Sequence, residues 1–443
     1  MFRTIMPGAR ADFEFVESSG LLPPLVRAGT VIDSQRVPNS VLDDAAPGAT
    51  IVIEHPRLPF VSYPYEWPFA ALKAAALLHL DVHLEALAND VSLSDASAYN
   101  VQFQGSAPVF IDRLSFKRYR EGEIWIGHRQ FCEQFLNPLL LTSLLGIPYH
   151  DWYRGRVEGI PTEHLNNALP LRRKLSWRVF THVTLHAKLT RGAATAKHES
   201  VPKVRPMSKP VLCQMLSGMR RWIEKLQPAH RGRTEWSDYA ENTSYGASWE
   251  DRKRAFVAEF ARAVRPAVLW DIGCNTGEYT QVALESGAIH AIGFDGDTGA
   301  LQRAFERASR ERLDFLPLYL DAANPAPSQG FAERERGGLM ARGPADALLA
   351  LALVHHLAIG RNVPLERLVD WLVQLAPRGV VEFVPKSDPM VQTLLRLRED
   401  VFDDYSEATF AAALERRSAI VRQETVSASG RRLYWYDVGH GQQ

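Results

Sequence analysis

Cysteine is scarce in this chain of 443 residues, and long apolar runs and net charge are missing. Its three cysteines, Cys132, Cys213 and Cys274, are odd in number and far apart, so we expect neither a disulfide framework nor a zinc site. The longest apolar runs, near 139–145 and 347–354, are much shorter than a membrane span. The first residues lack a basic start followed by an apolar core. We therefore expect a cytoplasmic protein without a membrane partner.

The balanced overall charge conceals one basic segment. Between Leu171 and Glu235 there are fifteen lysines and arginines but three acidic residues. Such clustering raises the alternative of a nucleic-acid partner, but aromatic residues are few there and no RNA-binding signature is present. We expect instead that these cations lie on the solvated faces of two amphipathic helices, predicted over 171–189 and 210–226, that cover an acidic catalytic domain.

The length predicts two domains. We place an N-terminal α+β domain at 1–165, a basic helical linker region at 166–232 and an α/β domain at 233–443. In the first domain, 26–29 and 50–54 have strand character, and apolar spacing predicts a helix over 69–87.

The segment Val-Leu-Trp-Asp-Ile-Gly-Cys-Asn-Thr-Gly at 268–277 predicts a buried strand, a glycine turn and the start of a helix. Its apolar run ends on Asp271, and Gly273 and Gly277 allow a tight turn with no Cβ facing a ligand. Asn275 or Thr276 can cap the helix, whose first N–H groups then face that ligand. The dinucleotide fingerprint G-x-G-x-x-G needs three glycines, and this segment has two at another spacing.

Two further predicted strands end in an acid, at Asp295 and at Asp321. Because the carboxyl ends of parallel strands meet at one edge of a sheet, we expect Asp271, Asp295 and Asp321 to face the same ligand. Asp295 follows the first strand at the distance where such sheets place a carboxylate on ribose hydroxyls.

The fourth predicted strand, over 345–353, leads to His355 and His356, where a general base would be useful. Adjacent side chains of a helix diverge by about 100°, so one histidine faces the site while the other packs; alternatively both pack. Glu382 lies inside the fifth predicted strand, where a buried carboxylate is costly unless paired. A His/His/Glu metal site is conceivable, but adjacent histidines are poor ligands for one ion, and we expect no metal.

Three motifs together resemble class I S-adenosylmethionine-dependent methyltransferases of a bacterial group that includes nodulation-type proteins. They are Asp-Ile-Gly-Cys-Asn-Thr-Gly (271–277), Leu-Ala-Leu-Val-His-His-Leu (351–357) and Glu-Phe-Val-Pro-Lys-Ser-Asp-Pro (382–389). The resemblance implies a Rossmann-like α/β sheet of seven strands that ends in an antiparallel hairpin, over 419–426 and 432–437. It also implies that the cofactor is S-adenosyl-L-methionine (SAM).

In such enzymes the carboxylate near the glycine turn serves the cationic amino group of SAM, and an acid after the third strand lies near the adenine. The resemblance therefore implies that Asp271, Gly273, Asn275, Gly277, Asp295, Asp321 and Ala322 bind the cofactor. The segment before the first strand often folds over the cofactor, which adds Tyr245 and, less directly, Lys253.

The resulting function is methyl transfer to a small-molecule or glycan acceptor, at a hydroxyl. His355, His356 and Glu382 are the catalytic candidates, with a histidine as general base. One alternative is an RNA or protein methyltransferase that uses the basic segment 171–235. Another is a non-catalytic scaffold with the same fold.

A separate motif in the N-terminal domain resembles kinase-like phosphotransferases. Asp95 and Asn100 have the spacing D-x-x-x-x-N, and Asp112 ends a strand twelve residues later, as in a catalytic loop followed by a metal-binding Asp. The chain departs from that pattern because a glycine-rich phosphate loop and the V-A-I-K lysine are missing, and Arg113-Leu114 stands where Phe-Gly would follow. The alternative is a hairpin whose polar side chains serve turns.

Overall fold

The computed structural model describes residues 1–45, 48–123, 125–185, 187, 206–229, 247–396 and 399–439. The chain divides into two compact units: unit 1 comprises Met1–Leu58 and Ser62–Arg231, and unit 2 comprises Pro59–Val61 and Gly232–Gln443. The three-part division at 165 and 232 stays a prediction. Among the described residues, no helix has the length and apolar character needed to cross a bilayer.

Within its described residues, unit 1 contains three small antiparallel sheets. Strands β1 (Phe2–Ile5), β2 (Gln35–Val37) and β3 (Ile51–Glu54) form the first, in the order β1-β3-β2. The second pairs β4 (Val91–Leu93) with β7 (Phe116–Arg118), and the third is a hairpin of β5 (Val101–Gln104) and β6 (Ala107–Phe110).

Two long helices pack together in unit 1. The predicted helix over 69–87 is confirmed as Phe69–Ala88, and that over 210–226 as Lys209–Lys225. The second buries one stripe, which includes Leu212, Leu216 and Ile223, as an amphipathic helix on a core does. The other helical segments are Pro7–Ser18, Leu22–Arg27, Asn39–Ala45, Pro64–Glu66, Ala98–Asn100, Arg113–Ser115, His128–Phe131, Cys132–Leu136, Asn137–Leu140, Leu141–Leu145, His150–Arg154, Thr162–Ala168, Leu171–Lys174, Trp177–Val179 and Phe180–Thr184.

Two local predictions in unit 1 are wrong. The residues 26–29 do not form a strand, because Pro23 and Pro24 lie in the first turn of the helix Leu22–Arg27, where their fixed φ suits helix initiation. The predicted helix over 171–189 is interrupted, since Ser176 has an extended backbone with φ −63° and ψ 126°.

One seven-stranded sheet forms the framework of unit 2, which confirms the predicted α/β fold with a seven-stranded mixed sheet. Its strands are β8 (Val268–Ile272), β9 (His290–Asp295), β10 (Phe315–Tyr319), β11 (Ala347–Ala350), β12 (Arg378–Phe383), β13 (Ala419–Thr425) and β14 (Arg432–Asp437). They are ordered β10-β9-β8-β11-β12-β14-β13. Strands β8 to β12 run parallel, and β14 pairs antiparallel with both β12 and β13.

Helices cover both faces of this sheet. Phe256 and Phe260 of the helix Ala247–Val264 share a buried cluster with Leu269 on one face. Trp435 of β14 packs against the same cluster. Because side chains alternate along a strand, the next residue, Tyr436, points to the other face, where its hydroxyl donates to Ala376 O at 3.0 Å. The other helices of unit 2 are Glu278–Glu285, Thr298–Glu311, Phe331–Glu333, Leu339–Arg342, His356–Gly360, Leu365–Leu375, Pro389–Leu395 and Glu407–Glu415.

The strand order creates a crevice beside β8. From this strand the chain proceeds outward through β9 and β10, and then returns to build β11 and β12 on the other side. The connections therefore leave β8 and β11 in opposite directions, which opens a space at the carboxyl ends of the two strands.

Gly379 provides a test of the packing within the sheet. It lies on β12 between Leu348 and Tyr436, and a Cβ there would approach Leu348 O at 2.8 Å and Tyr436 Cε1 at 2.7 Å. We expect Gly379→Ala to lower the free energy of unfolding by about 1–3 kcal/mol in urea titrations, because the backbone oxygen has no room to move. The control Gly218→Ala adds a Cβ that meets nothing within 4 Å, and an equal loss there would contradict the packing argument.

Candidate functional site

A cavity of about 810 Å³ lies at the carboxyl ends of the parallel strands of unit 2. Nine of the residues predicted to form the site line it, namely Lys253, Asp271, Gly273, Asn275, Asp295, Asp321, Ala322, His355 and His356. Gly277 and Glu382 lie behind its walls, and Tyr245 lies outside the described residues.

The turn after β8 alternates left-handed residues. Gly273, Asn275 and Gly277 have φ of +83°, +49° and +77°. A Cβ on Gly277 would also lie 2.3 Å from Phe315 Cε1, so both conformation and packing require glycine there. The helix begins at Glu278 with Gly277 at its N-cap, which corrects the predicted cap at Asn275 or Thr276.

Asp271, the last residue but one of β8, is a buried carboxyl group. Its Oδ2 accepts a hydrogen bond of 2.6 Å from Thr280 Oγ1 on the following helix. Burial raises the pKa of Asp271 to about 7, and the hydrogen bond from Thr280 opposes that shift. A positively charged partner in the cavity would lower this pKa and favour the ionised form of the acid.

Asp295 connects two strand ends. Its Oδ2 accepts from the amide of Asn275 at 2.8 Å, and its Oδ1 from the amide of Asp297 at 2.8 Å. Burial raises the pKa of Asp295, and these amide bonds act against the rise. The two bonds fix the carboxylate beside the glycine turn.

Asp321 follows β10 and is partly exposed, unlike the buried Asp271. Its Oδ2 accepts from Arg361 Nη2 at 2.8 Å, and its Oδ1 from the amide of Ala323 at 3.0 Å. Three consecutive strands thus place Asp271, Asp295 and Asp321 on the surface of one cavity.

A buried network of charges supports the opposite wall. Lys253 Nζ donates to Glu382 Oε2 at 2.6 Å, and the amide of Ala352 donates to the same oxygen at 2.9 Å. Arg431 forms a two-point ion pair with Asp388, at 2.8 and 2.9 Å. Although burial alone would raise it, the pKa of Asp388 is lowered because Arg431 and Ser429 donate to the carboxylate. Glu382 therefore has the partner that a buried carboxylate requires.

The two histidines occupy different environments. His355 is fully buried, and within the described part of the chain neither of its ring nitrogens has a hydrogen-bond partner. Burial lowers the pKa of His355 to about 2. His356 is half-buried, its ring centre lies 4.1 Å from that of His355, and burial lowers its pKa to about 4. Both rings are therefore neutral near pH 7.

Several lining residues were missed by the sequence interpretation. Asp297 lies two residues after Asp295 in the same loop, so its position beside a strand end was a usable signal. Arg361 and Arg431 come from loops far along the chain, and Trp249 from the helix before β8. No local pattern distinguishes these three from ordinary surface or core residues.

The polar motif of unit 1 is brought together, but each side chain has a local role. Asp95 accepts from the amide of Ser97 at 2.9 Å and from Asn100 Nδ2 at 3.2 Å. Asp112 caps the turn Arg113–Ser115 and pairs with Arg3. Apart from the ion pair with Arg3, which is distant in the chain, these are the turn contacts of the alternative interpretation. The kinase-like resemblance stays a prediction.

Fold and cavity together define a Rossmann-like α/β protein with a deep pocket at the carboxyl ends of its parallel strands. The chain belongs to the family of nodulation protein NoeA: it is 45% identical over 429 residues to that protein from Rhizobium meliloti (strain 1021), across 96% of this chain and 90% of the relative. No family model matches the chain.

Solved structures show weaker likenesses. The N-methyltransferase NodS from Bradyrhizobium japonicum WM9, in complex with S-adenosyl-L-homocysteine, is 12% identical with a TM-score of 0.34, over 47% of this chain and 94% of NodS. Magnesium protoporphyrin IX methyltransferase from Synechocystis PCC 6803 with bound SAM is 17% identical with a TM-score of 0.29, over 43% of this chain and 79% of that enzyme. Similarity of this degree says nothing about what this chain binds.

The raised pKa of Asp271 predicts a pH-dependent difference in stability. The folded state favours the protonated acid, so ionisation destabilises it increasingly as pH rises from the unfolded pKa near 4 to the folded pKa of about 7. Asp271→Asn removes this penalty and keeps an acceptor for Thr280. In urea unfolding of the ligand-free protein, we expect the variant to gain on the order of a few kcal/mol over wild type between about pH 4 and pH 8. A difference that is constant with pH would contradict the assignment.

Proposed function

We propose that unit 2 binds SAM and transfers its methyl group to a hydroxyl of a small-molecule or glycan acceptor. The observation that carries the proposal is the single cavity lined by Asp271, Asp295 and Asp321 at three adjacent strand ends. Three carboxylates suit a cationic ligand, whereas they would repel the pyrophosphate of a dinucleotide. The volume of about 810 Å³ falls within the range of roughly 300–1,000 Å³ typical of small-molecule sites.

Each carboxylate has a separate part in this proposal. Asp271 faces the cationic amino group, whose charge would lower the raised pKa of this acid and keep it ionised. Asp295 accepts from two backbone amides, yet each carboxylate oxygen retains a second acceptor site for a ribose hydroxyl. Asp321 and Ala322 line the cavity beyond the end of β10, and we assign them to the adenine.

When bound, SAM supplies a methyl group on a positively charged sulfur that departs as a neutral thioether. The protein then has mainly to align the acceptor and exclude water, effects that can supply roughly 7–11 kcal/mol. The glycine turn and the loop that follows β11 lie on either side of the crevice, so they would set this alignment.

Of the two histidines, we assign the role of general base to His356. It lines the cavity and is half-buried, and its lowered pKa leaves it neutral and able to accept the proton of a hydroxyl. With a pKa of about 4 it is a weak base, which suits a hydroxyl that loses its proton late, as it attacks the methyl group. His355 lies beneath it, fully buried, and serves to pack the ring of His356.

Glu382 has a positioning role in this proposal rather than the catalytic one predicted from the sequence. It accepts from the amide of Ala352, whose φ of +51° is unusual for a residue with a side chain. Such a conformation costs about 1–3 kcal/mol and persists when its surroundings enforce it. By holding Ala352, Glu382 orients the loop that carries His356.

Loss of a strand-end carboxylate should weaken cofactor binding. We expect Asp295→Asn and Asp321→Asn each to raise the dissociation constant for SAM by roughly 10–100-fold, because a hydrogen bond to a charged group is removed. Isothermal titration calorimetry measures this directly. The matched control is Asp314→Asn, since Asp314 lies at the opposite end of β10 and pairs with His290. A wild-type protein that binds no SAM, or a control as impaired as the variants, would overturn the cofactor assignment.

Removal of the base should separate chemistry from binding. We expect His356→Ala to lower methyl transfer by about 10²–10⁴-fold while SAM affinity stays within about twofold of wild type. The assay follows labelled methyl groups from SAM into acceptors of a cell lysate. His355→Ala opens a cavity in the wall, so we expect lower thermal stability but a smaller loss of transfer. Equal losses of transfer in the two variants would refute the assignment, and SAM binding without any transfer would favour the scaffold alternative.

A further inference from the structure

Unit 1 exposes a group of large apolar side chains next to its basic segment. Leu171, Leu175 and Trp177 are 80%, 85% and 75% exposed. The ring of Phe180 stacks beside that of Trp177, with 6.3 Å between the ring centres. Leu171 and Leu175 lie one helical turn apart, so their side chains are neighbours. We call residues 171–180 the basic apolar patch.

The same ten residues concentrate positive charge. Arg172, Arg173 and Arg178 are exposed and Lys174 is half-exposed. Within the described part of the chain none of these four has an ion-pair partner. The sequence contains no acidic residue between Glu163 and Glu199, so nothing nearby along the chain neutralises them. The patch therefore presents apolar tips among unpaired cations.

This combination distinguishes between possible partners. Phosphates of a nucleic acid would attract the cations, and bases would stack on Trp177. A nucleic acid would, however, have no use for Leu171 and Leu175, the two exposed aliphatic side chains of the patch. At the surface of an anionic bilayer, by contrast, Leu, Trp and Phe enter the boundary of the acyl chains while Lys and Arg contact the headgroups.

We propose that the basic apolar patch binds the surface of a bilayer that contains anionic phospholipid. The expectation of no membrane partner came from the lack of a segment long enough to span a bilayer, and contact with a surface needs no such segment. The inference does not depend on methyl transfer, because the patch belongs to unit 1 and the cavity to unit 2.

The test is co-sedimentation of the full chain with vesicles of phosphatidylcholine, with and without phosphatidylserine. We expect binding that requires phosphatidylserine and weakens as salt is added. Leu175→Ser combined with Trp177→Ser should reduce partitioning at least about tenfold, since apolar burial is lost. Arg172→Gln combined with Arg173→Gln should reduce it roughly 25-fold, because each cation near an anionic surface strengthens binding about fivefold.

The controls alter exposed residues of unit 2. Phe331 is 85% exposed, so Phe331→Ser is the match for the apolar variant, and Arg262→Gln is the match for the charge variant. All the altered side chains are exposed, and circular dichroism verifies that each variant folds. We expect both controls to bind vesicles as wild type does.

Several results would overturn the proposal. One is a wild-type chain that fails to sediment with phosphatidylserine vesicles. Another is sedimentation that the Leu175/Trp177 variant leaves unchanged, which would indicate charge attraction alone. Binding of a single-stranded RNA without binding of vesicles would assign the cations to nucleic acid. A wild-type dimer that Trp177→Ser converts to a monomer would assign the apolar side chains to a second copy of the chain.

Discussion

The ion pair between Lys253 and Glu382 is the contact on which the wall of the cavity depends. It joins the helix Ala247–Val264 to β12, and the amide of Ala352 adds the end of β11 to the same carboxylate oxygen. Both side chains are almost completely buried, so loss of either partner would leave a charge without compensation. Replacement of both by apolar residues could preserve stability, which suggests that the pair is present for geometry.

Electrostatics divides the cavity into two parts. On the side of β8, β9 and β10, burial raises the pKa of Asp271 and of Asp295. A cationic ligand there would stabilise the ionised form of both acids. On the other side, Lys253 and Arg431 are already neutralised by Glu382 and Asp388. Among the acids at the strand ends, Asp271 has a pKa of about 7, so binding of a cationic ligand beside it should release a proton as this acid ionises.

Local patterns predicted the elements whose burial repeats regularly. The helix Phe69–Ala88 and the parallel strands could be predicted because each contains a recurring apolar face or an apolar run. The prediction of a strand at 26–29 was wrong because two adjacent prolines initiate a helix just before these residues. The prediction of a single helix over 171–189 was wrong because the backbone is extended at Ser176, although the apolar periodicity of the sequence continues through this residue.

By itself, the sequence determined the strand-turn-helix around Gly273 and Gly277 and the acids at the strand ends, because each of these features is encoded within about ten neighbouring residues. The same strand periodicity also predicted that the carboxylates would meet, since parallel strands align their ends. Only the tertiary structure decided that Glu382 pairs with Lys253 and lies behind the cavity. It also decided that His356 is more exposed than His355, and that Arg361 and Arg431 line the cavity walls. These outcomes depend on which distant segments pack together and how deeply each side chain is buried, and both are properties of the assembled core.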